Sequence, residues 1–250
     1  MPTYYGFHGI VYAVYESINK TPQSRIGSVS TTLKKVRVKI DLNDYSVTMV
    51  DKTMSDDKSE RLNLQFHGLT PKRWPDLEKL FGEHGACGGC WCMWWRLSRS
   101  QFNKSKGAGN KKALKRIVYS GTIPGILAYS EGQPVGWCAI GPREQYPALE
   151  RSRILKPVDD KPVWAVVCFF TAKPYRNKGV TANLLKAALA FAERQGANTI
   201  EGYPTEPKKG KMPDPFVYTG MASTFLKAGF KEVLRRSETR PIMRYTARQG

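Results

Sequence analysis

A continuous apolar run, VWAVVCFFT (163–171), leads through AKPY and the basic turn RNKG into an alanine-rich stretch, VTANLLKAALAFAERQG, and this segment constrains the fold more than any other. The run has strand length, and its lack of polar–apolar alternation marks a strand buried on both faces. Pro174 cannot continue a hydrogen-bonded ladder, so the strand ends there. Leu184, Leu185, Leu189 and Ala192 then fall on or near one face of a helix that Gly196 stops. Another strand, Asn198 to Tyr203, follows. The segment therefore reads as strand–helix–strand, a central parallel unit.

The turn before the helix carries chemistry. Gly179 stands where the first helical turn begins and lets the backbone come close to a ligand. Amides of Asn177, Lys178, Gly179, Val180 and Thr181 then point outward without helical acceptors. Such a terminus attracts anions by geometry and by its dipole, and Arg176 and Lys178 add full charges beside it. The physical reading is a pyrophosphate cradle. The blander reading of a bare R-x-x-G is a β–α crossover with an exposed basic turn.

Around this unit, residues 34–50 (KKVRVKIDLNDYSVTMV) predict a hairpin: Val36, Val38, Ile40 and Leu42 alternate with charged residues, and Asn43-Asp44 supply the turn. Tyr4 to Tyr15 is strand-like, and residues 51–60 read as a polar linker. From residue 62 a strand, a short helix opened by Thr70-Pro71, and a basic segment (100–119) helical in its second half precede a hairpin over 126–141, turning at Glu131-Gly132-Gln133. A helix over 216–228 and two strands around Thr239-Arg240-Pro241 close the chain. These elements make an α+β domain over 61–250 with a β-rich N-terminal appendage, 1–60.

Residues 163–196 resemble motif A of the GNAT N-acetyltransferase superfamily, whose signature Gln/Arg-x-x-Gly-x-Gly/Ala stands here as Arg176-Asn177-Lys178-Gly179-Val180-Thr181. Thr181 departs from the pattern, but its amide still donates. The stretches GACGGCWCMWWR, LKPVDDKPVWAVVCFF, IEGYP, YTGMASTFLKAGFKEV and RPIMRY are similar to a poorly characterised bacterial-type GNAT subgroup. The resemblance covers about residues 62–245 and implies the GNAT acyltransferase fold, a mixed, mostly antiparallel sheet flanked by helices. It also implies acetyl transfer from acetyl-coenzyme A to an amine. Cys168, Phe169, Phe170 and Thr171 would then bond the pantetheine arm through their backbone, and a strand amide would polarise the thioester carbonyl. The turn 176–181 would hold the pyrophosphate.

Chemistry of this kind needs a base for the ammonium and an acid for the leaving thiolate. The resemblance points to Tyr218 as the acid, with Thr219 and Ser223 beside it; a ring packed under the sheet is the alternative. Glu144 and Glu201 are the base candidates, with Asp159 and Asp160 behind them; each also suits a solvated loop or edge.

His84, Cys87, Cys90 and Cys92 crowd four soft ligands into nine residues. One short loop can hardly wrap a tetrahedron, so the cysteines read as small apolar residues beside Trp91, Trp94 and Trp95, and no metal is expected. Tryptophan walls and an anionic anchor at Arg96 would suit an acceptor pocket. The five cysteines are odd in number and clustered, which favours reduced thiols in a cytoplasm. The N-terminus lacks a leader signature, and no apolar run approaches a membrane span. The net charge of +19 attracts phosphates. KSKGAGNKKALKR (104–116) and Lys34, Lys35, Arg37 and Lys39 form basic faces whose default is solvation and whose functional reading is attraction of an acidic acceptor or of nucleic-acid phosphate. The rival to an enzyme is thus a nucleic-acid- or partner-binding protein on a silent scaffold.

Overall fold

The computed structural model describes residues 62–207 and 217–247, together with the backbone of 29–33, 36–41 and 46–51. The strand expected at 4–15, the turn at Asn43-Asp44 and the linker beyond Asp51 lie outside the described residues.

Ten strands form one sheet in the order β1-β2-β3-β4-β5-β6-β7-β8-β10-β9. They are β1 (Val29–Leu33), β2 (Val36–Asp41), β3 (Ser46–Asp51), β4 (Leu64–Gly68), β5 (Gly125–Ser130), β6 (Gln133–Pro142), β7 (Trp164–Thr171), β8 (Thr199–Gly202), β9 (Lys231–Arg235) and β10 (Pro241–Thr246). Neighbours are antiparallel except β7 and β8, which run parallel as the helical crossover requires. The expected hairpins are present: β2 pairs with β3, and β5 with β6 through a turn in which Glu131 and Gly132 have φ of 49° and 72°. Both residues in the left-handed region make a turn whose twist matches the strands.

The helices are α1 (Trp74–Phe81), α2 (Arg99–Lys104), α3 (Ala108–Tyr119), the single turn α4 (Pro147–Glu150), α5 (Val180–Arg194) and α6 (Ala222–Lys227). The basic segment is two helices. Ser98 and Gln101 form a capping box that starts α2, and Gly107 at φ 80° breaks the path before α3. The helix expected over 216–228 begins only at Ala222, because Gly220 is left-handed (φ 84°) and Met221 extended. The proline-marked stretch before β7 folds inward, with Tyr146, Leu149 and Leu155 buried.

The sheet has an apolar cluster on each face. On one, α5 lays Val180, Leu184, Leu185, Ala188 and Phe191 against Val135, Ile140 and Val166. On the other, Trp74, Leu77 and Phe81 of α1 join Trp91, Trp137, Leu114 and Val167. Gly136 sets how closely α5 approaches. A Cβ there would stand 2.9 Å from both Val180 Cγ1 and Leu184 Cδ1. The start of α5 is thereby seated directly on β6.

Candidate functional site

The site begins at an irregularity in β7. Its register against β6 shifts between Ala139 and Ile140: Cys168 faces Ala139 and Val166 faces Ile140, which leaves Val167 as the extra residue of a bulge. Val167 and Cys168 consequently both turn toward the tryptophan-rich face, whereas Val166 and Phe169 face α5. Pairing of β7 with β8 spans only Trp164–Val166 against Ile200–Gly202. Beyond that point the strands part, and the outward backbone groups of β7 find other partners. Val167 O accepts from Trp95 Nε1 (3.1 Å), Phe169 N donates to Tyr218 O (2.6 Å), and Thr171 O accepts from Arg176 Nε (3.2 Å).

At the foot of β7, a 3-10 turn (Lys173–Tyr175) leads into the predicted cradle. Asn177 and Gly179 both take left-handed φ values, 62° and 75°. Gly179 caps α5 at ψ 3°, and a Cβ there would meet Asn183 Nδ2 at an ordinary contact of 3.8 Å, so backbone conformation is what calls for glycine. Among the described residues, none accepts from the amides of Lys178, Gly179, Val180, Thr181 or Ala182; the first amide to find a partner is Asn183 N, on Gly179 O (3.1 Å). Thr181 Oγ1 lies 3.4 Å from Thr171 Oγ1, tying helix to strand where the motif departs from Gly or Ala. Arg176, Asn177 and Lys178 are exposed beside these amides. Open amides, a helix N-terminus and two cations fit a pyrophosphate.

Against the edge of β7 lies a pocket of about 510 Å³. Trp94, Trp95, Leu97, Phe102, Ile154 and Leu155 supply its apolar wall, and Arg99, Arg151, Arg240 and Tyr218 its polar groups. Its wall shares two residues with the bonds to β7, Trp95 through its indole and Tyr218 through its carbonyl. Burial pushes the Tyr218 phenol up to about 12, with Arg240 and Arg99 opposing the rise and Cys168 adding to it.

The expected bases are placed differently. Glu201 is buried on β8, and both its oxygens are committed: Arg244 Nε at 2.7 Å on one, Tyr203 Oη at 2.6 Å and Arg143 Nη1 at 3.2 Å on the other. Arg143 also binds Glu150, Leu155 O and the Tyr203 hydroxyl. A carboxylate with this many donors is an ion-pair hub. Glu144 is exposed on a 3-10 turn (Arg143–Gln145) and does not line the pocket. Asp159 holds Arg244 with two bonds, 2.6 and 2.7 Å, Asp160 is exposed, Thr219 is buried against Thr205, and Ser223 is exposed.

Arg96, the expected anionic anchor, instead bonds Gln145 Oε1 (2.9 Å) and the Tyr146 hydroxyl (3.1 Å) and stacks over the Tyr146 ring. The arginines that do reach the pocket, 99, 151 and 240, come from three distant segments, and no local pattern announces them. The cysteine loop does not converge on a point. Cys87 and His84 are exposed, whereas Cys92 is buried and receives Trp137 Nε1 at 2.9 Å. A hydrogen bond from Cys168, with that indole and the nearby Arg96, holds the Cys92 thiol below its ordinary range; donating the same bond holds Cys168 well above. Part of the basic run is engaged as well: Lys111 pairs with Glu78 (2.8 Å), and Lys115 lies over the rings of Trp74 and Tyr119.

Comparison with known proteins gives one family match: residues 91–207 match the model of the acetyltransferase (GNAT) family. No curated protein matches the chain. Solved structures of similar shape include a PaiA N-acetyltransferase from Thermoplasma acidophilum in complex with coenzyme A, at 14% identity and a TM-score of 0.43, covering 73% of this chain and 98% of that one. They also include GNAT-family acetyltransferases from Listeria monocytogenes (9%, TM-score 0.47, 76% and 99%) and Streptococcus agalactiae (13%, 0.44, 76% and 99%). The matched segment holds the bulged, splayed β7 and the glycine-capped α5. The fold is that of the GNAT acyltransferases, with the seven strands β4–β10 as its mixed sheet and helices on both faces.

Proposed function

We propose that the protein transfers an acetyl group from acetyl-coenzyme A to a primary amine, by direct attack in a ternary complex. The observation that carries this reading is the run of unpartnered amides from Lys178 to Ala182, opening at the foot of a strand whose outer edge is bonded by two residues of a pocket wall, Trp95 and Tyr218. The family match over 91–207 supports acetyl transfer in general. Coenzyme A would supply the acyl group as an activated thioester.

Each residue then has a task. Arg176, Asn177, Lys178, Gly179, Val180 and Thr181 hold the pyrophosphate by amide donation and charge. The backbone of Cys168 to Thr171 aligns the pantetheine arm. The Phe169 amide, directed away from β6, exchanges the Tyr218 carbonyl for the thioester oxygen and polarises it. The amine attacks the carbonyl carbon, a carbon–nitrogen bond forms, and the carbon–sulfur bond breaks. Tyr218, protonated throughout the neutral range, donates its proton to the departing sulfur and is reprotonated by the one the amine releases. No carboxylate or histidine stands among the described lining residues.

Calorimetric titration of acetyl-coenzyme A into the wild type and Gly179→Asp tests the reading. Aspartate places a side chain and a negative charge where the pyrophosphate is expected. Micromolar binding by the wild type, lost in the variant, is the expected result. No binding by the wild type would sink acetyl transfer.

A further inference from the structure

The pocket beside β7 carries three cations and no counter-charge. Arg99, Arg151 and Arg240 line it, and none of the three is in an ion pair among the described residues. The deeper arginines elsewhere among the described residues are neutralised: Arg143 meets Glu150 and Glu201, and Arg244 meets Asp159 and Glu201. Arg240 is the informative member. Its Nη1 reaches Thr205 Oγ1 at 3.3 Å, but its Nε is buried and has no hydrogen-bond partner. A buried guanidinium N–H left unpaired has lost its water without a protein partner in return, so such groups persist where a ligand completes them. Arg99 stacks 3.5 Å from the ring centre of Trp94, which fixes its plane against the aromatic wall.

We infer that the acceptor is an amine bearing an anionic group, a carboxylate or a phosphate, on an apolar body. A guanidinium presents paired donors matched to the oxygens of either anion. Trp94, Trp95, Phe102 and Ile154 face the hydrocarbon or aromatic part of the same molecule. Held this way, the anion neutralises the arginines and the amine is left toward β7, where Tyr218 stands. The inference rests on the acetyl-transfer reading for the amine and on the pocket alone for the anion.

The test uses matched pairs that differ only in the acid group: L-phenylalanine against phenethylamine, L-tryptophan against tryptamine, and L-leucine against 3-methylbutylamine. The 1-aminophosphonate analogue of phenylalanine is included to separate carboxylate from phosphate-type recognition. Each is titrated into the full chain with and without saturating coenzyme A, and product is followed by mass spectrometry with acetyl-coenzyme A. At least one acid is expected to bind ten-fold or more tighter than its matched amine and to be acetylated with a correspondingly higher kcat/KM. Arg240→Gln is expected to abolish that preference while leaving coenzyme A affinity unchanged. Arg151→Gln, at an exposed position, serves as a second variant that keeps the fold and is expected to reduce the preference. Equal binding of acids and amines, no binding by any acid, or a preference that survives both substitutions overturns the inference. The two readings separate cleanly. A protein that takes acetyl-coenzyme A without favouring acids loses only the anionic acceptor. One that favours acids but does not take acetyl-coenzyme A keeps the anion pocket and loses acetyl transfer.

Discussion

In the proposed reaction, Tyr218 is the residue on which the proton transfer turns. Its phenol is pushed up to about 12 by burial, so it keeps its proton at every pH the folded protein is asked to work at. Tyr218→Phe removes the proton while keeping the ring against the pocket wall. The expected outcome is a loss in kcat of about 10²-fold, with the affinity for acetyl-coenzyme A unchanged, measured by steady-state kinetics and calorimetry. The rate of the wild type is expected to rise with pH as the amine deprotonates, with no fall from Tyr218 before about pH 12. At this scale the sequence was partly legible. That Tyr218 and the tryptophans line the pocket agrees with the sequence, Tyr218 through the family resemblance and the tryptophans because they are conspicuous. Glu201 looked like a free carboxylate on a strand edge. What the sequence hides is that Arg143 and Arg244, from separate segments, converge on it. Arg240 was invisible for the same reason: it sits in a turn between β9 and β10, and only the folded chain brings it to Trp94 and Tyr218.

Among elements, β7 and α5 were the most legible, since both their limits and their relation follow from periodicity and from two punctuating residues, Pro174 and Gly179. The bulge at Val167 was not legible. It depends on register against β6, which no pattern within β7 encodes. The placement of α5 also depends on a residue outside it, Gly136 on β6. Gly136→Ala would drive a methyl to within 2.9 Å of Val180 Cγ1 and Leu184 Cδ1, at the end of the helix that presents its amides to the cradle. Overpacking of this kind costs about 1–3 kcal/mol. A denaturant midpoint lowered by that amount is expected, together with weaker acetyl-coenzyme A binding, because α5 must lift away from β6. Unchanged stability in urea titration would mean that the two side chains simply rotate aside. The second half of the basic segment was correctly read as helical, but the capping box at Ser98 went unread beside the charge run.

Across the whole molecule, charge is concentrated rather than spread. The excess of 40 basic over 21 acidic residues gives +19, and several of the described carboxylates are drawn into ion-pair hubs. One links Asp159 to Arg244 and through it to Glu201. Arg244 holds the Asp159 carboxyl down to about 2, below the usual value near 4. Because the folded state lowers this pKa, the contribution is present above about pH 4 and is lost as pH falls through 2. Melting temperatures of the wild type and Asp159→Asn should therefore differ above pH 4 and converge below pH 2, with salt narrowing the gap at this exposed carboxylate. The splay of β7 from β8 has a consequence of another kind. A strand that leaves its neighbour halfway exposes a row of donors and acceptors, the template on which chains add to one another and aggregate. Here three of the outward groups are already answered from within: Val167 O by an indole, Phe169 N by a loop carbonyl, Thr171 O by a guanidinium. A sheet that parts at this point is thereby made a poorer template for a foreign strand.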